Sequence, residues 1–553
     1  MGGFLLHLTP EKNGTVLNTT CGPLRGNIYR HGDKIVDGYL GIPFAKAPIG
    51  PLRFKKPEAA EKWTEPRDCY KYGPAAPQTG KFASIPAGNV EETAEDNCLT
   101  VNVFAPRWKT PEFPSGLPVM VYIYGGGFEV GTSRNHDYST SGVLPMKDIV
   151  LVFVNYRVGP LGFLTTGDDV AKGNYGLWDQ TLGLHWVQQH IDSFGGDPKN
   201  VTIFGTSAGG ASVDLLALSP HSNKLFNRYI ACSGAAYCDF ATRSNAEQAK
   251  ISNDFARHHG YKGKDSKSLL EWYDSQPLSV FKDMEGFVMN ASGFLTFSPN
   301  IDGDFLPKPL DELRNEAPQL DMMATVGEYE GLGMAFLFAG ASDPVNLFGL
   351  TIAEAYGPGF TDDCVSVQKN LLEFYTDKID NTDKAAMTKA QIEFLGDAHF
   401  NIGVLETAKS CVKHGNTVYL ASVDYCNREV PNPWAAMLPF HAATHGEEFK
   451  YVFGEQMFAD FNPTETDFQV INLISGYFTN FAKYGNPNGK LGGDIAIWEK
   501  YTLELPYRYF KIDHPMSGMK EDFQNGRLKI HEEVYRNSKK HQENIYGKCK
   551  TEL

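Results

Sequence analysis

A serine set between small residues follows an apolar run at 201–204. This run is typical of a buried strand, and the pattern Gly-x-Ser-x-Gly comes directly after it, at Gly205–Gly209. A serine on a sharp turn from strand to helix has a strained backbone and an exposed hydroxyl, so its neighbours must be small. The pentapeptide alone is compatible with a chance turn. After a strand-like run, it predicts a nucleophile at Ser207.

Three consecutive glycines follow a second apolar run, Leu117–Tyr124. Glycines after a strand let the backbone approach a ligand closely, with N–H groups free to bind an oxyanion. Acyl transfer needs such donors because negative charge develops on the carbonyl oxygen. We assign them to Gly126 and Gly127, together with Ala208 after the serine. The alternative is a flexible hairpin, and a phosphate loop is less favoured because the chain has no Gly-Lys-Ser/Thr pattern.

Two glutamates, Glu328 and Glu330, follow a third apolar run that ends at Val326. A serine hydroxyl needs a base, normally histidine, and the base needs an acid to orient it. In hydrolases with this serine turn, the acid and then the histidine follow the serine along the chain. We select Glu330, which precedes a glycine, as the acid. Glu328 is the alternative.

Two histidines lie further along, in the segment 440–446. We select His445, on a predicted loop, as the base over His441. The two are spaced i,i+4, as two metal ligands on a helix would be. The zinc pattern His-Glu-x-x-His fails because Ala442 stands where the glutamate should be, so we predict no metal site.

Length and composition restrict the class of protein. The chain has 553 residues, 42% of them hydrophobic, without repeats or low-complexity tracts, and we predict a single domain over 1–553. Acidic side chains outnumber Lys and Arg by 66 to 51, which gives a net charge of −15. A chain with this charge and no basic stripe is a poor nucleic-acid binder. No apolar run reaches the length needed for a transmembrane segment.

The signals for cellular compartment disagree. The N-terminus lacks a basic region followed by a long apolar core, so we expect no signal peptide and a cytoplasmic protein. The C-terminal Lys550–Leu553 resembles a retention tail of the endoplasmic reticulum. The alternative is therefore the lumen of that compartment, or secretion, if another isoform carries a signal.

Many segments in the same order resemble the type-B carboxylesterase family, which includes cholinesterases and inactive neuroligin-type adhesion proteins. The resemblance covers almost the whole chain and includes the serine turn. Its other segments are Gly38–Ala45, Pro51–Phe54, Glu95–Asn102, Asn155–Leu164, Asn174–Gln180, Phe194–Pro198, Ile301–Pro307 and the region of Trp498. The resemblance implies an α/β-hydrolase fold, in which helices flank one large, mixed, mostly parallel sheet and a deep gorge leads to Ser207.

The resemblance also implies roles for particular residues. The residues that match the family's catalytic triad and oxyanion hole are Ser207, Glu330, His445, Gly126, Gly127 and Ala208. Ser233 matches a serine that lies next to the acid, and Cys69 and Cys98 match the family's first disulfide pair. That bridge would close a loop of about thirty residues and, if oxidised, stabilise the fold by roughly 3–4 kcal/mol.

Some positions depart from the family pattern. Thr206 stands where the family usually has a glutamate next to the nucleophile, which puts cationic substrates in doubt. The segment between Cys69 and Cys98 lacks the tryptophan whose ring binds quaternary ammonium in cholinesterases, and Asn97 is an insertion there. These departures argue against a choline-ester specialist.

A group of apolar residues indicates the acyl side of the gorge. They are Phe294, Leu295 and Phe297. An acyl pocket of this kind favours an apolar acyl group, and the alternative is that all three are ordinary core residues.

Together these features predict a serine esterase that hydrolyses small to medium apolar carboxylic esters through an acyl-enzyme. Its partner is a small-molecule ester, and no cofactor is needed. The alternative is a weak or inactive adhesion or scaffold protein on the same fold. A lipase or a cholinesterase is less favoured, because no long apolar lid is identified and the tryptophan is missing. The sequence leaves the oligomeric state open.

Overall fold

The computed structural model describes most of the chain. The described residues are 10–78, 81–82, 85–86, 93–133, 143–283, 295–333, 344–356, 364–380, 382–427, 439–454, 461–490 and 496–535. Phe294, which the sequence analysis assigned to the acyl side, lies outside these ranges, as does the tail Lys550–Leu553.

The described strands form one large sheet and two small ones. In chain order they are β1 (Glu11–Lys12), β2 (Leu17–Asn18), β3 (Pro23–Arg25), β4 (Asn27–His31), β5 (Lys34–Pro43), β6 (Arg67–Asp68), β7 (Lys81–Phe82), β8 (Ile85–Pro86), β9 (Thr100–Pro106), β10 (Leu117–Ile123), β11 (Val150–Val154), β12 (Gly196–Thr206), β13 (Arg228–Cys232), β14 (Asp321–Gly327), β15 (Val418–Val423), β16 (Tyr509–Ile512) and β17 (Gly518–Lys520). The large sheet has 12 strands in the order β1-β4-β5-β9-β11-β10-β12-β13-β14-β15-β16-β17.

The centre of the large sheet is parallel. Strands β11, β10, β12, β13, β14, β15 and β16 run in one direction, and the antiparallel pairs lie toward the two ends. Every residue of β10 and β11 is buried, because parallel strands of this kind are covered by helices on both faces. The predicted large, mixed, mostly parallel sheet is confirmed.

Helices connect the parallel strands. The described ones are α1 (Gly159–Phe163), α2 (Tyr175–His190), α3 (Ala208–Leu218), α4 (Asn245–His258), α5 (Ser266–Ser275), α6 (Leu278–Lys282), α7 (Leu310–Glu316), α8 (Pro344–Ala355), α9 (Cys364–Thr376), α10 (Lys384–Gly396), α11 (Ile402–Lys413), α12 (Glu447–Phe453) and α13 (Glu465–Tyr484). A π-helical turn, Asp397–Asn401, joins α10 to α11. None of the helices in the described part of the chain is long and apolar enough to cross a membrane.

Helix α3 starts directly after Ser207 and lies inside the core. All of its residues are buried, as expected for a helix that is apolar on every side. A Cβ atom on Gly210 would lie 2.6 Å from the carbonyl oxygens of both Cys232 and Gly234, so only glycine permits this approach of α3 to β13. Ser207 therefore precedes a helix that cannot shift without repacking the core.

The predicted site residues follow strands that end at the same edge of the sheet. Strand β10 ends at Ile123, β12 at Thr206 and β14 at Gly327. Parallel strands have their carboxyl ends at one edge, which is where open α/β sheets bind ligands. The glycine turn, Ser207 and Glu330 are therefore carried by neighbouring loops.

The bridge that the resemblance implied between Cys69 and Cys98 is not formed. Both are buried free thiols. Burial raises the pKa of the Cys69 thiol to about 12, and its charged neighbours include Arg67. Burial also raises the pKa of the Cys98 thiol, which lies near the buried carboxylate of Asp179. The two sulfurs thus have different surroundings, and the described fold is held together without this disulfide.

Candidate active site

Ser207 occupies the sharp turn between β12 and α3. Its φ and ψ are 58° and −126°, a region that costs a residue other than glycine roughly 1–3 kcal/mol. A Cβ atom on Gly205 would lie 2.5 Å from the carbonyl carbon of Gly209, and one on Gly209 would lie 2.1 Å from the carbonyl oxygen of Ile123. The Ser207 N–H donates to the carbonyl of Cys232 at 2.8 Å. The turn therefore has the geometry that the Gly-x-Ser-x-Gly pattern predicts.

The glycine turn after β10 lies against this serine. Gly126 and Gly127 have φ angles of 112° and 63°, which glycine adopts without strain. A Cβ atom on Gly125 would lie 2.9 Å from the Cβ atom of Ser207. Ala208 is the first residue of α3, where a helix leaves its amide without an intrahelical partner. The structure thus brings the three predicted oxyanion donors to the two segments that flank the serine.

Replacing Gly126 by alanine is expected to displace the oxyanion turn. The new Cβ atom would lie 2.2 Å from the carbonyl oxygen of Val130, so the backbone itself must move. Loss of one oxyanion donor typically costs about a hundred- to a thousandfold in kcat, and we expect Gly126→Ala to fall in this range in an ester hydrolysis assay. Gly32→Ala is the matched control, because Gly32 also has a positive φ, 64°, but open space around the added methyl group. Equal kcat values for the two variants would contradict the assignment.

Glu330 and His445 form a hydrogen-bonded pair. The distance from His445 Nδ1 to Glu330 Oε2 is 2.6 Å, and the Glu330 side chain is fully buried whereas His445 is 27% exposed. The other oxygen of Glu330 accepts hydrogen bonds from the Ser233 hydroxyl at 2.7 Å and from the amide of Gly327. Oε1 of Glu330 is thus held by Ser233 and Gly327, and Oε2 is left for the imidazole of His445.

The two alternatives that the sequence left open lie elsewhere. Glu328 is partly buried, and burial, followed by the nearby Asp424, raises the pKa of its carboxyl to about 7. Its surroundings also include Lys511 and Asp513 rather than His445. His441 is exposed. Within the described residues, no group of three or more His, Cys, Asp or Glu side chains could hold a metal ion.

The loop that carries His445 is fixed against the serine turn. The Gly446 N–H donates to the Ser233 hydroxyl at 3.4 Å, and a Cβ atom on Gly446 would lie 3.6 Å from Thr206 Oγ1. Phe400, in the π-helical turn, has its ring centroid 4.4 Å from that of His445. Ser233 therefore contacts both Glu330 and the loop of His445, and Thr206 lies at the contact between that loop and the serine turn.

A second buried carboxyl, which sequence reasoning missed, lies beside the acid. Glu448 Oε1 accepts hydrogen bonds from the hydroxyls of Thr325 at 3.2 Å and Ser233 at 3.4 Å. Burial, and then the negative charge of Glu330, raises the pKa of Glu448 to about 7. The one signal in the sequence is its position three residues after His445, at the start of α12. A carboxyl with a pKa of about 7, that of Glu448, thus lies near Glu330 and His445.

Ionisation of Glu448 is expected to make stability depend on pH. Its folded pKa of about 7 exceeds the value of about 4.3 for an unfolded glutamate. The stabilisation from holding this proton is fully present below the unfolded pKa and is lost as pH rises through about 7. From pH 5 to pH 8, the free energy of unfolding of the wild type should fall by about 2 kcal/mol relative to Glu448→Gln. Denaturant unfolding across this range measures it, and parallel curves for the two proteins would contradict the shift.

The acyl-side residues are packed into the core where the structure describes them. Leu295 and Phe297 are both buried, and the ring of Phe297 makes an edge contact with Phe255, with centroids 5.6 Å apart. The carbonyl of Leu295 accepts a hydrogen bond from Arg243. This packing agrees with the core alternative and leaves the acyl assignment a prediction.

The sequence matches known proteins along nearly its whole length. The carboxylesterase family matches residues 13–531. Esterase cest-33 of Caenorhabditis elegans is 52% identical over 554 residues, which cover 100% of each chain. The cholinesterase of Mus musculus is 31% identical, covering 88% of this chain and 81% of the relative. Neuroligin-2 of Homo sapiens is 30% identical, covering 91% of this chain and 64% of the relative.

These relatives carry names of different kinds, an esterase, a cholinesterase and a neuroligin. They agree in the family, and the family match extends from residue 13, directly after β1, to residue 531. The mixed sheet with its flanking helices is the fold that this family implies. The chain belongs to the carboxylesterase family.

Proposed function

We propose that the chain is a serine carboxylesterase that hydrolyses small to medium apolar esters through an acyl-enzyme. The observation that carries this proposal is the hydrogen bond of 2.6 Å between His445 Nδ1 and Glu330 Oε2, on a loop that lies against the strained turn of Ser207. A buried acid that orients a partly exposed histidine beside such a serine is the arrangement that activates a hydroxyl nucleophile.

The first half of the reaction forms the acyl-enzyme. Ser207 Oγ attacks the ester carbonyl carbon, and Nε2 of His445 takes the hydroxyl proton. The oxyanion that forms is stabilised by the amides of Gly126, Gly127 and Ala208. The bond from carbon to the alcohol oxygen then breaks, and His445 gives its proton to the departing alcohol.

The second half releases the acid. His445 takes a proton from water, and the water oxygen attacks the acyl carbon on Ser207. The second oxyanion uses the same donors, and its collapse breaks the bond from the acyl carbon to Ser207 Oγ, to which His445 returns the proton. Throughout, Glu330 orients the imidazole through Oε2, while Ser233 and the Gly327 amide hold its other oxygen.

The substrate class follows from the residues next to the nucleophile. Thr206 is buried and neutral, so the position before Ser207 offers no charge to a cationic alcohol group. The core around Phe297 is apolar. We therefore propose uncharged carboxylic esters with apolar acyl groups as the preferred substrates.

A series of nitrophenyl esters with acyl chains from acetate to decanoate tests the proposal. The purified chain should hydrolyse the short to middle members, with kcat/KM falling at the long end. Acetylthiocholine and its uncharged isostere, in which a tert-butyl group replaces the trimethylammonium, should react at similar rates. A large preference for the cation would overturn the proposed substrate class while leaving ester hydrolysis intact.

An adhesion or scaffold role is the second candidate. It is favoured by the similarity to Neuroligin-2, which extends over 91% of this chain. A folded protein that hydrolyses none of the esters, and whose Ser207 does not react with an organophosphate, would replace the enzyme proposal by this one.

A further inference from the structure

A buried carboxylate outside the catalytic residues joins the oxyanion turn to the acyl-side segment 295–299. Glu129 is only 7% exposed and stands two residues after Gly127. Its Oε1 atom accepts hydrogen bonds from the backbone amides of Thr296 at 2.6 Å and Phe297 at 3.3 Å. Hydrogen bonds to an ionised acceptor are roughly twice as strong as neutral ones.

The same residue also closes the glycine turn. The Glu129 N–H donates to the carbonyl of Gly126 at 3.1 Å, and the Val130 N–H donates to that carbonyl at 3.0 Å. The backbone of Glu129 is therefore fixed to one predicted oxyanion residue, while its side chain holds the acyl-side segment. A displacement of the glycine turn therefore moves the segment 295–299 through the Glu129 side chain, and a displacement of the segment moves the turn in the same way.

The segment 295–299 has few other polar attachments at this point. Arg243 contacts both ends, because its side chain donates to the carbonyl of Leu295 and its N–H donates to the carbonyl of Pro299 at 2.9 Å. The Ser298 N–H donates to Gln248 Oε1 at 3.4 Å, and the Ser298 hydroxyl is buried and has no protein partner among the described residues. The backbone amides of Thr296 and Phe297 thus depend on the carboxylate of Glu129.

The charges around Glu129 are balanced by specific contacts. Burial raises the pKa of its carboxyl, whereas the amides of Thr296 and Phe297, and then the cation of Arg243, act in the opposite direction. Burial therefore disfavours the charged form of Glu129, and these donors stabilise it only while they stay in place. The Glu129 carboxylate therefore favours the position of the segment 295–299 in which the amides of Thr296 and Phe297 reach it.

We propose that Glu129 is a positioning residue that sets acyl-chain selectivity by holding the segment 295–299 against the Gly126–Gly127 turn. The inference rests on the proposed ester hydrolysis and on the assignment of Leu295 and Phe297 to the acyl side. Beyond ester hydrolysis, it assigns to Glu129 the selection of the acyl chains that fit. Removing the acceptor leaves two buried amides without partners, so the segment must move and the acyl side must widen.

Kinetics of Glu129→Ala on the nitrophenyl ester series test this role. The ratio of kcat/KM for decanoate to kcat/KM for acetate should rise about tenfold, because long chains gain room while short chains lose contacts. In Glu129→Gln the amide oxygen can still accept both hydrogen bonds, though more weakly, so the rise in this ratio should be much smaller, about twofold. Should Glu129→Ala fail to fold, Glu129→Gln still decides, because a neutral acceptor is weaker and should raise the ratio about twofold.

Glu95→Ala is the matched control for lost stability. Glu95 is buried to the same degree, at 6% exposure, and is held by Arg53 through two contacts of 2.6 Å. Its truncation should lower Tm and leave the chain-length ratio unchanged. An unchanged ratio in Glu129→Ala and Glu129→Gln, with Ser207 still reacting with an organophosphate, would overturn the role of Glu129 alone. A wild type without turnover or labelling would overturn the proposed function instead.

Discussion

Ser207→Ala is expected to abolish covalent turnover. Removing the nucleophile of a serine triad lowers kcat about a millionfold, and what remains comes from binding and the oxyanion donors. The variant should fold, because the change removes one oxygen from a residue whose backbone is fixed by α3 and by the hydrogen bond to Cys232. Steady-state hydrolysis of a nitrophenyl ester, with circular dichroism to check the fold, measures the effect.

Ser212→Ala is the control for this substitution. Ser212 lies on the same helix, is fully buried, and accepts a hydrogen bond from Gln180 at 3.1 Å. Its loss should reduce stability and leave kcat close to that of the wild type. If Ser207→Ala kept more than about a hundredth of the wild-type kcat, a value far above the residual expected without the nucleophile, another group would have to be the nucleophile.

Glu330→Gln is expected to cause the second largest loss, about ten-thousandfold in kcat. The amide has nearly the same shape, but it cannot accept from His445 at one position and from Ser233 and Gly327 at the other. The imidazole is then held in the wrong tautomer, and its cation loses a negative neighbour. Single-turnover measurements with a nitrophenyl ester separate this slow acylation from substrate binding.

Glu328→Gln makes the matched comparison, because Glu328 is the other acid that the sequence allows. Its neighbours are Asp424 and Lys511 rather than the histidine, so kcat should change by less than about threefold, the scatter expected away from a catalytic group. A larger loss in Glu328→Gln than in Glu330→Gln would exchange the roles of the two glutamates.

Local patterns were enough to predict the centre of the fold and the sharp turn at Ser207. The runs that form β10, β12 and β14 are apolar and short. Each is followed by residues in an unusual backbone conformation or in close contact with neighbouring backbone. Ser207 could be identified because small residues on both sides are required by the turn itself, and Gly126 because no other residue fits next to Val130. Steric constraints of this kind act between residues close together in the chain and can therefore be predicted from the sequence.

The parts that the sequence did not predict depend on contacts between distant segments. Glu448 and Glu129 are acidic residues whose burial arises only after β14 and the segment 295–299 pack against them. Phe400 lies beside His445 because a π-helical turn places it there. The pairing of Cys69 with Cys98 that the resemblance implied is not formed, and both are buried free thiols.

Reaction of the wild type with diethyl 4-nitrophenyl phosphate tests the central claim most directly. Ser207 Oγ should displace 4-nitrophenolate, and the protein should gain one diethylphosphoryl group. Peptide mapping by mass spectrometry should place this group on Ser207, with ester hydrolysis lost in proportion to the labelled fraction. A folded protein that gains no label, or that carries the label elsewhere and keeps its hydrolysis, would contradict the claim that Ser207 is an activated nucleophile.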